Sequence, residues 1–248
     1  MDFLGQVLAW YTDPANWTGN NAIQLRLWQH LSLSAASLAA GMAIALPIGL
    51  YIGHTGRFTR VTVAVANIGR AVPSLGWLGI AYPIGTGLFQ RGGIGFLPAF
   101  IGLVALAIPP IVTNTHAGLR SVDPELREAA RGMGMRERQL LFRVEVPVSL
   151  PVILAGIRAS AVSVVATAPL GALVGGGTLG SYIIQGLALS DEVRVFAAAV
   201  LVALLAILTE LGFAWVQRRA VSPGLAGPQE GVWGEPLQVP VPQAFVPS

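Results

Sequence analysis

Cysteine and lysine are both absent from this chain of 248 residues, and each absence closes off a line of chemistry. Without cysteine there are no disulfides and no thiolate metal ligands, and thiol usage carries no information about redox compartment. Without lysine, all 15 basic residues are arginine. A phosphate-binding loop of the G-x-x-x-x-G-K-[ST] type is therefore excluded, because its lysine must reach the nucleotide phosphates. Any ATP hydrolysis linked to this chain has to occur on another polypeptide. Charge is scarce too. Only 11% of residues are charged and 54% are hydrophobic, against about 25% charged in ordinary soluble domains. So few polar side chains cannot cover a water-soluble globule, and the expected solvent is lipid. The formal charge of +3 then reads as the arginine bias of membrane loops rather than as a nucleic-acid footprint, and no nucleic-acid partner is expected.

What is present is a series of apolar runs. Spans are expected at Leu31 to Ile52, Val61 to Pro83, Ile94 to Thr113, Pro151 to Val174 and Val195 to Val216, each long enough for a bilayer that takes about 20 residues to cross. The fold class is an all-α membrane protein of about five transmembrane helices. Arg57 and Arg60 follow the first span, six arginines from Arg120 to Arg143 lie between the third and fourth, and Arg218 and Arg219 follow the fifth. The alternate loops hold Arg91 and Arg194. The crowded loops fall on one side, which puts the N-terminus outside and the C-terminus in the cytoplasm. A sixth span at Leu179 to Ser190 is too short, and after Gly175-Gly176-Gly177 it reads as an interfacial or re-entrant piece. Residues 1–26, with Trp10, Tyr11 and Trp17, form an external interfacial segment with no cleavable signal peptide expected, and residues 221–248 form a Pro/Gly-rich disordered tail.

The loop at 121–147 has organised helical chemistry where a connector needs little. Asp123 is placed to cap a helix, Pro124 occupies its first position and Glu125 favours its N-terminus. Gly132 and Gly134 let the chain turn into a second helix, Arg136 to Val144, which Pro147 and Pro151 stop before the fourth span. Here the string Glu128-Ala129-Ala130-Arg131-Gly132-Met133-Gly134, followed by Val144-Glu145-Val146-Pro147 and Leu150-Pro151, resembles the EAA loop of permease subunits of binding-protein-dependent ABC importers. The resemblance implies a type I ABC importer permease fold. It also implies that Glu128, Ala129, Ala130 and Gly132 couple to a separate ATP-binding subunit, which would bind the ATP and magnesium, this chain needing no cofactor. Ala71-Val72-Pro73-Ser74-Leu75, Asn114-Thr115-His116-Ala117-Gly118-Leu119, Ala155-Gly156-Ile157-Arg158 and Gly175-Gly176-Gly177-Thr178-Leu179-Gly180 are similar to segments of osmoprotectant permeases, which import glycine betaine, carnitine or choline. That similarity implies an external substrate-binding protein and a second permease, identical or homologous, in a bacterial plasma membrane. It departs at Arg70, where the group commonly carries glutamine.

Inside the bilayer an ionisable side chain costs several kcal/mol unless it faces protein or water. Asn67, Arg70, Pro73, Ser74, Ser163 and Thr167 are the candidates for a translocation path. Arg70 has the alternative of pairing with backbone carbonyls or with Glu210, itself expected in a structural ion pair. Pro73 and Pro109-Pro110 are expected to interrupt the second and third spans. His30, His54 and His116 lack metal-ligand spacing, so no metal site is expected. Other readings are the same permease type for another solute, such as methionine or a sulfonate, or an ion-coupled secondary transporter, for which internal repeats are missing.

Overall fold

The computed structural model describes residues 2–88 and 95–220. The expected tail at 221–248, Arg91 and the start of the third span at Ile94 lie outside the described residues. Among those described, the regular structure is helical throughout. A short helix α1 (Phe3–Thr12) and a 3-10 turn (Pro14–Trp17) precede α2 (Ile23–Thr55), which crosses the expected 26/27 boundary without a break. With 33 residues, α2 is about 50 Å long at about 1.5 Å per residue. It therefore overreaches a hydrocarbon core of about 30 Å.

Helix α5 (Phe96–Arg120) is the axis of the bundle, and a stripe of small residues on α2 sets how closely it is approached. Gly41, Ala45, Gly49 and Gly53 recur every fourth residue. A Cβ built on Gly41 would stand 2.7 Å from Ala107 Cβ, one on Gly49 2.7 Å from Thr115 Cβ, and one on Gly53 2.7 Å from Leu119 Cβ. Ala45 packs with Ile111 in the same core. In lipid, where apolar surface gains little from leaving its solvent, such close backbone approach is what drives helices together. Both sets of contacts ascend with residue number, so α2 and α5 run in the same direction.

The chain must accordingly return between them. It does so through α3 (Thr59–Ala71) and α4 (Ser74–Leu88), two helices bent by 99° at Val72-Pro73. The expected second span is thus not one straight rod. Its contacts descend along α5, Gly69 lying against Pro109, Leu78 against Gly102 and Gly85 against Pro98, so the bent pair makes the crossing. The break is where Pro73 was expected to interrupt. The Pro109-Pro110 pair does not interrupt α5. The prolines remove the two donors that would serve the Ala105 and Leu106 carbonyls, yet the helix runs on to Arg120, with the Thr113 hydroxyl and the Asn114 amide adding donors to the Pro109 and Pro110 carbonyls at 2.9 and 2.8 Å.

The segment 121–147 holds α6 (Pro124–Gly132) and a single turn α7 (Glu137–Leu140), which passes through a π-helical turn (Leu141–Glu145) into α8 (Val146–Thr167). The expected second helix ending before Pro147 is therefore corrected: there is no stop. The Val146 N–H reaches back five residues to the Leu141 carbonyl, widening the turn just ahead of Pro147, whose ring is tolerated in a first helical turn. Helix α8 descends α5, Gly156 packing on Asn114 and Ser160 Oγ donating to the Ala107 carbonyl at 3.0 Å. After a 3-10 stretch (Ala168–Val174), α9 (Gly180–Leu189) has 10 residues, too few to cross, and α10 (Glu192–Ala220) returns along α8. Together α2, α5, the run from Glu137 to Val174 and α10 are long and apolar enough to span a membrane, with the bent pair as the fifth crossing.

Candidate functional site

Helix α6 forms for the local reasons expected. Asp123 Oδ1 accepts the Glu125 N–H at 2.9 Å, and Pro124 sits at the first position. Its inner face is set by Ala130, 1% exposed, and by Arg127, while Leu126, Ala129 and Met133 follow one another at spacings of three and four on the outer face. Leu126 is 42% and Met133 73% exposed; Glu128, Ala129 and Gly132 are exposed with them. Of the two glycines expected to turn the chain, only Gly134 has to be glycine. It adopts φ +83° and its N–H closes on the Arg131 carbonyl at 2.9 Å, whereas a Cβ on helical Gly132 would meet open space.

Beneath α6 lies a charge cluster that the sequence reading missed. Glu145, at the end of the π turn, is fully buried. Its Oε2 is 2.6 Å from His54 Nδ1, in the last turn of α2, and its Oε1 is 3.0 Å from Arg127 Nε, too far off line for a hydrogen bond. Arg127 Nη2 also donates to the Leu119 carbonyl at the end of α5. The other His54 nitrogen, Nε2, faces Glu137 at 3.3 Å, and Glu137 is gripped by the Arg131 fork at 3.0 and 3.2 Å. The hydrogen bonds from Arg131 hold the Glu137 carboxyl below its usual range, and the same contact raises Arg131. Among the described residues no group of three His, Asp or Glu side chains stands so as to hold a metal ion.

The path candidates are only partly brought together. Asn67, Arg70, Pro73 and Ser74 gather by chain proximity at the α3–α4 elbow, whereas Ser163 and Thr167 lie half-exposed near the end of α8, their hydroxyls making no hydrogen bond among the described residues. Arg70 is exposed and donates to Thr113 Oγ1 on α5. The alternative pairing of Arg70 with Glu210 is overturned, because Glu210 on α10 is taken by Arg158 on α8, with Gln217 at 3.4 Å from the same guanidinium. Glu210 is in a structural ion pair, as expected, with a different arginine. A cavity of 350 Å³ between α2, α3, α4 and α5 is lined by Ile48, Val65, Trp77 and Ile108 among other apolar groups. That lining suits hydrocarbon and offers nothing to a charged solute.

A bundle of this kind, with four long apolar helices, a bent pair as the fifth crossing and an organised helix at its arginine-rich end, is that of a multi-span membrane protein. Residues 45–222 match the family of binding-protein-dependent transport system inner membrane components, and the chain belongs to that family. It is 36% identical to the carnitine transport permease protein OpuCB of Listeria monocytogenes over 86% of this chain and 94% of that one. It is 30% identical to the glycine betaine/carnitine/choline transport system permease protein OpuCB of Bacillus subtilis over 86% and 95%. Among solved structures, an inward-facing conformation of the MetNI methionine ABC transporter matches with a TM-score of 0.73 at 24% identity, covering 83% of this chain and 100% of that one. The fold is that of a type I ABC importer permease.

Proposed function

We propose that this chain is the permease subunit of an importer for a small quaternary ammonium osmoprotectant such as carnitine, glycine betaine or choline. The observation that carries the reading is the near full-length similarity to permeases named for these solutes. In this reading the end bearing α6 faces the cytoplasm, the N-terminus is outside and the C-terminus inside, in keeping with the arginine bias. Glu128, Ala129, Ala130 and Gly132 belong to the helix that docks on an ATP-binding subunit; the exposed ridge Leu126, Ala129 and Met133 supports this, since apolar groups beside water call for a partner. That subunit binds ATP and magnesium, an external binding protein delivers solute, and a second permease, identical or homologous, completes the pore. Closing of the ATPase shifts the permease between two states for which its affinity differs.

Asn67, Arg70, Pro73, Ser74, Ser163 and Thr167 are proposed to line the path. An exposed guanidinium favours zwitterions, whose carboxylate it can attract, over the bare cation choline. The test is ATP-driven uptake of labelled carnitine, glycine betaine and choline by the reconstituted complex. Carnitine or betaine is expected to be carried ahead of choline, and Arg70→Gln to narrow that gap. Uptake of methionine or a sulfonate instead, or uptake persisting without the ATPase, overturns the reading; an unchanged preference in Arg70→Gln removes Arg70 from the path.

A further inference from the structure

Helix α6 meets the bundle through Ala130, which is buried, and through the charged side chain of Arg127. Arg127 projects from it to two places, the Leu119 carbonyl at the end of α5 and the Glu145 carboxylate at the head of α8. Glu145 in turn holds His54 on α2 at 2.6 Å. One buried carboxylate thus joins the exposed helix to the ends of two membrane helices, with a third reached through the same arginine. It sits in the π-helical turn, and its own carbonyl accepts the Ser149 hydroxyl at 2.7 Å, which pins that turn to the next one.

We infer that the Arg127–Glu145–His54 chain is the joint that passes displacement of α6 to α2 and α8, with Glu145 as its positioning residue. The physical reason is the asymmetry of buried charge. Pulling α6 away while α2 and α8 stay put would take Arg127 from a buried carboxylate and leave its Oε1 without a partner, His54 alone remaining on the other oxygen, which is costlier than moving all three together. The outer clamp, Arg131 to Glu137 to His54, is largely exposed and adds direction rather than holding force. The inference rests on the reading of α6 as the ATPase-docking helix, but makes a separate claim: docking concerns the outer face of α6, transmission concerns what lies beneath it.

The experiment reconstitutes the complete importer, with its ATP-binding subunit and binding protein, and measures solute imported per ATP hydrolysed. Glu145→Gln keeps the shape and removes the charge. The ATP-binding subunit is expected to co-purify as with the unaltered chain, while uptake per ATP falls on the order of tenfold, the size of an ordinary coupling free energy. His54→Gln, which leaves the Arg127–Glu145 pair in place, is expected to lower the ratio by a smaller factor; it decides the matter if Glu145→Gln does not assemble. A normal ratio in Glu145→Gln, or in His54→Gln when only that variant assembles, overturns the inference. Failure of the docking reading looks different: Ala129→Arg would then leave association of the ATP-binding subunit untouched.

Discussion

The two ends of the bundle are held by opposite kinds of chemistry. At the α6 end, Arg127, Arg131, His54, Glu137 and Glu145 form a chain of charged and polar contacts between three separate helical segments, α2, α6 and the run that begins at Glu137. At the other end the contacts between elements are mainly aromatic, and the Arg194–Asp191 pair at 3.3 Å is confined to the turn between α9 and α10. Trp10 meets Tyr11 and Tyr182 edge to face, Phe3 meets Phe196 likewise, the Tyr11 hydroxyl donates to the Ala197 carbonyl at 2.7 Å, and the Tyr182 hydroxyl donates to that of Asn21. Edge-to-face rings and single backbone hydrogen bonds fix one geometry and suit the membrane interface, where one end of each ring is wet. Buried ion pairs resist separation but tolerate joint movement. The difference assigns rigidity to the aromatic end and transmission to the charged end.

The largest way to break this contrast is at Gly180, the first residue of α9. A Cβ there would overlap the Pro169 carbonyl oxygen, and backbone on both sides leaves little to yield. Gly180→Ala is expected to cost about 3 kcal/mol, the upper part of the range for overpacking, read as lower thermal stability of the purified protein. Its uptake per ATP should be that of the unaltered chain in whatever fraction folds. A fall in that ratio with stability intact would erase the distinction between the ends. A milder change is Tyr182→Phe, which removes one hydroxyl from the Asn21 carbonyl. The expected loss is about 1 kcal/mol, again with the ratio unmoved; a Tyr182→Phe protein that is stable yet uncoupled would argue that the aromatic end also transmits.

Sequence disclosed what is local and hid what is distant. The start of α6 was legible because Asp123, Pro124 and Glu125 do their capping within three residues of one another. The shortness of α9 was legible from the length of its apolar run, and the break at Pro73 from the ring itself. The Pro109-Pro110 pair misled because α5, packed along its length against α2, α4 and α8, keeps its helical path past the two missing donors. The second helix of the 121–147 loop was cut short because a π turn, invisible in periodicity, carries the chain past Pro147. Glu210 called for an arginine, but Arg70 and Arg158 are equally arginine; only the packing of α8 on α10 decides between them. His54 and Glu145 are 91 positions apart, and neither is marked by spacing, so the joint appears only once α2 and α8 converge. The four-residue stripe Gly41, Ala45, Gly49, Gly53 was there to be found, since small residues at that interval are the signal for close helix contact in lipid.

The smallest effect separates the two layers of the charged end. Glu137 and Arg131 lie largely in solvent, so their pairing contributes little, yet it has a definite sign with pH. The Arg131 hydrogen bonds lower the Glu137 carboxyl below its unfolded value. A carboxyl depressed in the folded state adds stability that is present above the unfolded pKa and disappears as pH falls through the folded one. Comparing the unaltered chain with Glu137→Gln, the small stability difference should be constant across the neutral range and shrink towards zero once pH drops through the acid carboxylate range. A difference that widens on acidification would mean the folded state favours the protonated carboxyl, contrary to the clamp. Because His54 also faces Glu137 at 3.3 Å, uptake per ATP measured on the same variant tells whether the outer layer only trims the joint. A loss as large as that of Glu145→Gln would place the transmitting charge at the surface instead of beneath it.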